Sequence, residues 1–312
     1  MFVDGEDTSP GFSRPDREGL TMITSTLELA RQGQAGGYAV PAVNILDDLS
    51  LRAVVDAAVQ ASSPVIIQVS VKTVRSVGVD LMTKIFAASA APAPVPVALH
   101  LDHCPDRQVI ADVVAAGWSS VLFDASDRDL AQAGTETAEV VQLAHAAGVD
   151  VESEIENIIG VEDDVGSDVA VHSYSVDLLA EMAERTGADL IAPQLGTAHG
   201  QYTSAPVLLP ERVRELARLT DRPIVLHGGT GLTDEDFRSF IDAGVAKINI
   251  STGLKLAYMH AARDHLQKAE ATGRWDPPSM FKDMSAAVRT EIARYFDVFG
   301  SAGHAQDAGA RP

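Results

Sequence analysis

The sequence predicts a single (β/α)8 barrel with an N-terminal extension and extra C-terminal helices. Short β-branched or aliphatic runs alternate with longer amphipathic stretches from about residue 37 to about residue 300. The short runs are continuously apolar, as expected of parallel strands covered on both faces. They number eight, which favours a closed barrel over an open doubly wound sheet in a chain of 312 residues, 46% of them hydrophobic.

The expected strands are 37–44, 64–70, 96–102, 120–126, 150–154, 190–194, 223–228 and 246–250. Helical periodicity falls between them at 48–62, 107–117, 135–148, 175–187, 211–220 and 234–244, and several of these stretches end in glycine, a common stop signal. A helix at about 22–33 and a helical region over 253–299 flank the repeat. The Ala- and Pro-rich AASAAPAPVP reads as a turn. No GxGxxG follows the first strand, which removes the best support for a dinucleotide-binding fold. The expected boundaries are a flexible extension over 1–21, one barrel domain over 22–303 and a flexible tail over 304–312.

Twenty-four Lys and Arg against 44 Asp and Glu give a net charge of −20, which repels nucleic acid and supplies no basic stripe for it. No apolar stretch of about 18 residues is present, so no membrane-spanning helix is expected. The first twenty residues lack the basic and apolar blocks of a secretory signal, and the single cysteine, Cys104, suits a reducing compartment. Both point to the cytoplasm.

Barrel chemistry sits at the carboxyl ends of the strands, so polar residues there are the candidates. His103 follows VALHLD, His199 lies in GTAHG beyond LIAPQ, and His227 closes PIVLH. Three neutral imidazoles leave a position open on zinc for a substrate oxygen, although a lone buried histidine is more often structural. His100, His145, His172, His260, His265 and His304 lack the strand-end placement and read as structural or surface groups. Asp102 is placed to exchange a proton or to orient an imidazole. Asp124 and Glu154 occupy equivalent strand ends and either approach a metal or cap the following turn.

The turns GTAHG, HGGTG and NIST follow strands six, seven and eight, where barrels often bind phosphate on backbone N–H groups. Thr230, Ser251 and Thr252 add hydroxyl donors there. Segment 158–177 is long, polar and Gly-containing, the composition of a mobile lid, and its acidic cluster Glu162, Asp163 and Asp164 is either a solvated turn or the carrier of a base. Lys247 is the candidate for an alternative, Schiff-base mechanism, which leaves the three histidines unexplained.

The blocks HLDHC, VESE, GVEDD, LGTAHGQY, HGGTGL, KINIST and FGSAGHA, in that order from about residue 24 to 305, resemble the class II, metal-dependent ketose-bisphosphate aldolases. The resemblance implies zinc on His103, His199 and His227, with Glu154 and Asp124 near the metal or at alternative positions. It implies Asp102 as proton donor to the aldehyde oxygen and Glu162 as the base on the ketose side. Gly200, Gly228, Gly229, Thr230, Ser251 and Thr252 would hold a phosphate, Asn249 would contact a zinc-stabilised enediolate, and Asn44, Gln68 and Ser70 would line the site. A monovalent cation such as Na+ or K+ is left open. The implied reaction joins or cleaves dihydroxyacetone phosphate and an aldehyde, in a homodimer or homotetramer.

Three departures stand out. Glu156, Asn157, Ile158, Ile159 and Gly160 replace a glycine-rich run usual in the family. Gly253 replaces an acidic residue, and Thr230 a serine. No basic residue for a second phosphate stands out. The alternatives to a working bisphosphate aldolase are therefore a related metal-dependent carbon–carbon or proton-transfer enzyme of a specialised pathway and, further off, a non-catalytic sugar-phosphate-binding protein.

Overall fold

A computed structural model describes residues 23–158, 160–162, 165–167, 172–200 and 206–305. The expected extension over 1–21 lies outside the described residues, as does the tail from 306 onward. His304 is packed, stacked on Tyr38 with ring centroids 4.3 Å apart. Ala305 N–H donates to Ser62 O at 2.8 Å, so the packed chain runs past the expected boundary at 303.

Helix α1 (Thr26–Gly36) precedes β1 (Val40–Asn44), α2 (Asp48–Ala61), β2 (Val65–Ser70), α3 (Val71–Val77), α4 (Val79–Ala90) and β3 (Val97–Cys104). There follow α5 (Arg107–Ala115), β4 (Ser120–Asp124), α6 (Leu130–Ala146), β5 (Asp150–Glu154) and a short antiparallel pair, β6 (Gly160–Glu162) and β7 (Val165–Ser167). The remainder is α7 (Val176–Thr186), β8 (Leu190–Ile191), α8 (Pro210–Ala217), β9 (Ile224–Leu226), α9 (Asp234–Ala243), β10 (Val245–Ile250), α10 (Thr252–Thr272) and α11 (Pro277–Val298). Strands β1, β2, β3, β4, β5, β8, β9 and β10 pair in parallel and close into a barrel, with β1 against β10. The fold is a (β/α)8 barrel.

Local chemistry accounts for the helix boundaries. Asp47 and Ser50 form a capping box at α2, and Thr233 and Asp236 form another at α9. Gly187 ends α7 in the left-handed conformation, with φ 78°. Two helices between β2 and β3 escape the sequence reading because Gly78, at φ 88°, splits that stretch into pieces too short for a clear period. The residues read as a turn from 87 onward supply the last turn of α4. Helix α6 begins at Leu130 rather than 135, capped by Asp129 and running through Gly134. The C-terminal helical region divides at Gly273, with φ 69°.

Inside the barrel, Val40, Ala42, Ile66 and Ala98 pack on Leu29 of α1, while Leu190, Ala192, Val225 and Ala246 pack on Ala30 of the same helix. Two small apolar clusters thus form around α1, separate from the large core cluster that takes in the surrounding helices. Towards the carboxyl ends of the strands the interior becomes polar. Gln68, His100, Asp102, Glu152, Glu154, His227 and Lys247 are all buried. Because strand side chains alternate in direction, residues two apart share that interior: His100 with Asp102, Glu152 with Glu154, Lys247 with Asn249.

Candidate active site

His103 occupies a backbone position that strand periodicity does not foresee. Simple alternation after Asp102 would turn it away from the barrel axis. The pairing of β3 with β4 instead shifts between Leu101 and Cys104, and His103 adopts φ 41°, in the left-handed region. Such a bulge re-aims a side chain, here bringing the imidazole to the same mouth as Asp102.

Three ligand-type nitrogens, from His103, His199 and His227, lie within 4.8 Å of one another. The His103 ring is 4.7 Å, centroid to centroid, from each of the other two, and His199 and His227 are 6.1 Å apart. His227 Nε2 lies 2.8 Å from Glu152 Oε1, a contact that places its proton there and points the Nδ1 lone pair at His103 Nε2, 3.0 Å away. His103 Nδ1 faces Glu154 at 3.4 Å and Asp124 at 3.5 Å. Neither nitrogen of His199 has a hydrogen-bond partner among the described residues. Burial first, then the neighbouring imidazoles with His103 foremost, hold His199 neutral, well below the ordinary imidazole range.

These residues fit a divalent cation. Neutral imidazoles are good zinc ligands, the buried ring nitrogens of the half-buried His199 are costly without a partner, and converging lone pairs require a proton or a cation between them. His103 is drawn well above its ordinary range: burial opposes its charge, but Asp102, Glu154 and Asp124 outweigh it. A second grouping, His103 with Asp124 and Glu154, shares the other edge of the same ring. Asp124 caps the following turn, because Oδ1 accepts from Ser126 N at 3.0 Å and from Ser126 Oγ at 2.6 Å, while Oδ2 faces His103. Glu154 Oε2 has no hydrogen-bond partner among the described residues. Its carboxyl is pushed well up by burial and then by Asp124.

Asp102 is fixed by amides. Asn44 Nδ2 donates to Oδ2 at 2.8 Å, Gln68 Nε2 donates to Asn44 Oδ1 at 2.7 Å, and Asn249 Nδ2 reaches Oδ1 at 3.4 Å. Burial alone would raise the Asp102 carboxyl, but His103, His227 and Lys247 hold it at about 2, ionised near neutrality.

A narrow cleft opens beside the imidazoles, lined by His103, His199, Gly200, Gly228, Gly229, Thr230, Asn249, Ser251 and Thr252. The three loops expected to hold an anion therefore converge. Gly228, at φ 69°, permits a backbone approach that a side chain would block, since an added Cβ would lie 2.5 Å from Ala198 O. Ser251 Oγ is buried with no partner among the described residues, whereas Thr230 Oγ1 accepts from Gly253 N at 3.3 Å. Ser70 stands apart from this cleft lining and caps α3, its hydroxyl 3.4 Å from Thr73 N. Glu162 has its backbone in β6, and its side chain lies outside the described residues, as do Asp163 and Asp164.

The sequence reading did not single out Glu152, and it noted Glu156 only as part of a departure from the family pattern, with no role. Glu152 shares strand face and spacing with Glu154, a usable signal; for Glu156 the departure itself was the signal. Lys247 donates to Glu152 and Asn249, both at 2.8 Å, and is fully buried, which withholds it from a substrate carbonyl.

Fold and cleft together define a barrel enzyme with a metal-capable histidine cluster at the carboxyl ends of its strands. The sequence profile of class-II fructose-bisphosphate aldolases matches residues 24–304. The YdjI aldolase from Escherichia coli K12 is 30% identical, with a TM-score of 0.79 over 91% of this chain and 100% of its own. A candidate fructose-1,6-bisphosphate aldolase from Coccidioides immitis is 26% identical, with a TM-score of 0.83 over 91% of this chain and 99% of its own. A fructose-bisphosphate aldolase from Campylobacter jejuni, 24% identical with a TM-score of 0.77 over 90% of this chain and 96% of its own, shares the fold. The chain belongs to the class II fructose-bisphosphate aldolase family, and it is a lyase.

Proposed function

We propose that this aldolase makes or cleaves the carbon–carbon bond between dihydroxyacetone phosphate and an aldehyde, with zinc on His103, His199 and His227. The observation that carries the reading is the convergence of three imidazoles, the amide-braced Asp102 and the glycine-lined cleft at one end of the barrel. A divalent cation at these imidazoles supplies Lewis-acid stabilisation of the negative charge that develops on a substrate carbonyl oxygen.

In the cleavage direction, the ionised Asp102 accepts the proton of the hydroxyl on the carbon that becomes the aldehyde. The carbon–carbon bond breaks as that carbonyl forms, and its electron pair passes to the ketose half. Glu162 returns a proton to that half, releasing dihydroxyacetone phosphate; in condensation each transfer reverses. Gly200, Gly228, Gly229, Thr230, Ser251 and Thr252 hold the phosphate on N–H and hydroxyl donors, and Asn249 orients the reacting oxygens.

The test combines a zinc determination with an assay for dihydroxyacetone phosphate release, before and after chelation. Full turnover by the stripped protein rejects the reading. A specialised substrate is the second reading, favoured because no Lys or Arg is among the described residues lining the cleft. A screen of ketose mono- and bisphosphates separates the two, since exclusive turnover of fructose 1,6-bisphosphate removes the second. Exposed Met259, Leu266, Trp275 and Phe281 around the C-terminal helices support a homodimer or homotetramer, which light scattering tests.

A further inference from the structure

Glu156 stands where the family pattern carries glycine, and it is fully buried. A buried carboxylate is costly unless paired and hydrogen-bonded, and this one is both. Arg212 Nη2 donates to Oε1 at 2.7 Å and to Oε2 at 2.9 Å. Oε1 also accepts from Tyr174 N at 2.7 Å, and Oε2 from Gln194 N at 2.9 Å. Four donor contacts thus fill the carboxylate. Arg212 reaches one partner more, Tyr174 O at 2.9 Å.

The partners come from separate segments that meet at Glu156. Gln194 begins the connection that carries His199, and Tyr174 ends the connection from β5 to α7. Next to Glu156, Asn157 Oδ1 accepts from His172 N at 3.1 Å, a second tie across the base of that connection. The two connections also touch directly. Gly160, at φ 107°, lies so close to His199 that an added Cβ would be 2.7 Å from His199 O.

We propose that the Glu156–Arg212 ion pair is a positioning device for the metal site, anchoring the segment that carries His199 so that the third imidazole stays with His103 and His227. The inference rests on the metal-dependent reading above and deepens it. Of the three histidines, His103 lies in β3 and His227 directly follows β9, with Glu152 fixing the His227 ring. His199 lies eight residues beyond the end of β8, so its position depends on what anchors the start of that segment. Glu156 does this from the end of β5.

The test uses the full-length protein. In Glu156→Gln, zinc affinity, read by competition with a chromophoric chelator, falls about tenfold or more, as for loss of an outer-shell partner. At saturating zinc kcat falls more than KM changes, and amide exchange at Tyr174 and Gln194 quickens. Arg212→Lys keeps the charge and loses less affinity than Arg212→Met. The apolar pair Glu156→Leu with Arg212→Met separates positioning from mere filling: it recovers thermal stability without recovering zinc affinity. If Glu156→Gln does not fold, this pair and the Arg212 variants carry the test.

Zinc affinity within twofold of wild type in the folded variants overturns the inference while leaving the aldolase reading intact, as does an apolar pair with wild-type affinity. A wild-type chain that binds zinc but cleaves no ketose phosphate overturns the aldolase reading alone, because the affinity arms still decide the role of the pair. A wild-type chain that binds no zinc overturns both.

Discussion

Glu152 accepts from His227 Nε2 at 2.8 Å through one carboxylate oxygen, while the other receives Lys247 Nζ at the same distance. The carboxylate selects the tautomer that turns His227 Nδ1 towards His103, and Lys247 keeps it ionised, below the ordinary carboxylate range despite burial. Glu152→Gln removes that charge from beneath the ring. Zinc affinity is expected to fall about 10–100-fold, measured against a chelator of known affinity. An unchanged affinity would show that the contact does not govern the ring.

Asp102→Asn retains the shape braced by Asn44 and abolishes the proton acceptor. Turnover is expected to drop about 10²–10⁴-fold, the range for loss of a general acid–base group. Bound zinc should stay near the wild-type content. Comparable loss of zinc in this variant would make Asp102 a ligand organiser rather than a proton carrier.

Zinc uptake should release protons, because His103 and the neighbouring Glu154 are both held above their ordinary ranges in the metal-free chain while burial keeps His199 and His227 neutral. The sign follows from competition. Below the raised His103 value the proton occupies the position the cation needs, so affinity rises by up to about tenfold per pH unit as pH increases, then levels off once His103 loses its proton unaided. Calorimetry in buffers of different ionisation enthalpy counts the protons. A pH-independent affinity between about pH 6 and 8 contradicts the assigned charge state.

Gly228→Ala introduces a methyl group where Ala198 O lies 2.5 Å away, at a φ that side chains rarely adopt. The expected loss of stability is on the order of 1–3 kcal/mol, read as a lower urea midpoint. Zinc affinity should fall too, since Ala198 adjoins His199. A stable variant with normal zinc binding would mean that the two backbones part without consequence.

Much of the site was legible because strand ends are marked by local composition. His227 closes an apolar run, Asp102 interrupts one, and the glycine turns follow others, so the barrel rule alone brought them to one rim. His199 was placed by its position after a strand, although no strand holds it. Ser70 was named only through the family resemblance, and the structure adds that its hydroxyl caps α3, a use that a strand-end hydroxyl does not announce in the sequence.

Repeating periodicity by itself determined the eight-stranded parallel architecture, since the apolar period depends only on neighbours along the chain. It likewise set His103, Asp102 and His227 at the same end of the barrel. Tertiary structure decided which atoms face which. The left-handed turn at His103 arises from a shift in pairing between β3 and β4, and the Glu152–Lys247 and Glu156–Arg212 pairs join residues 95 and 56 positions apart. Burial makes those carboxylates seek partners, and only closure of the barrel brings the partners within reach.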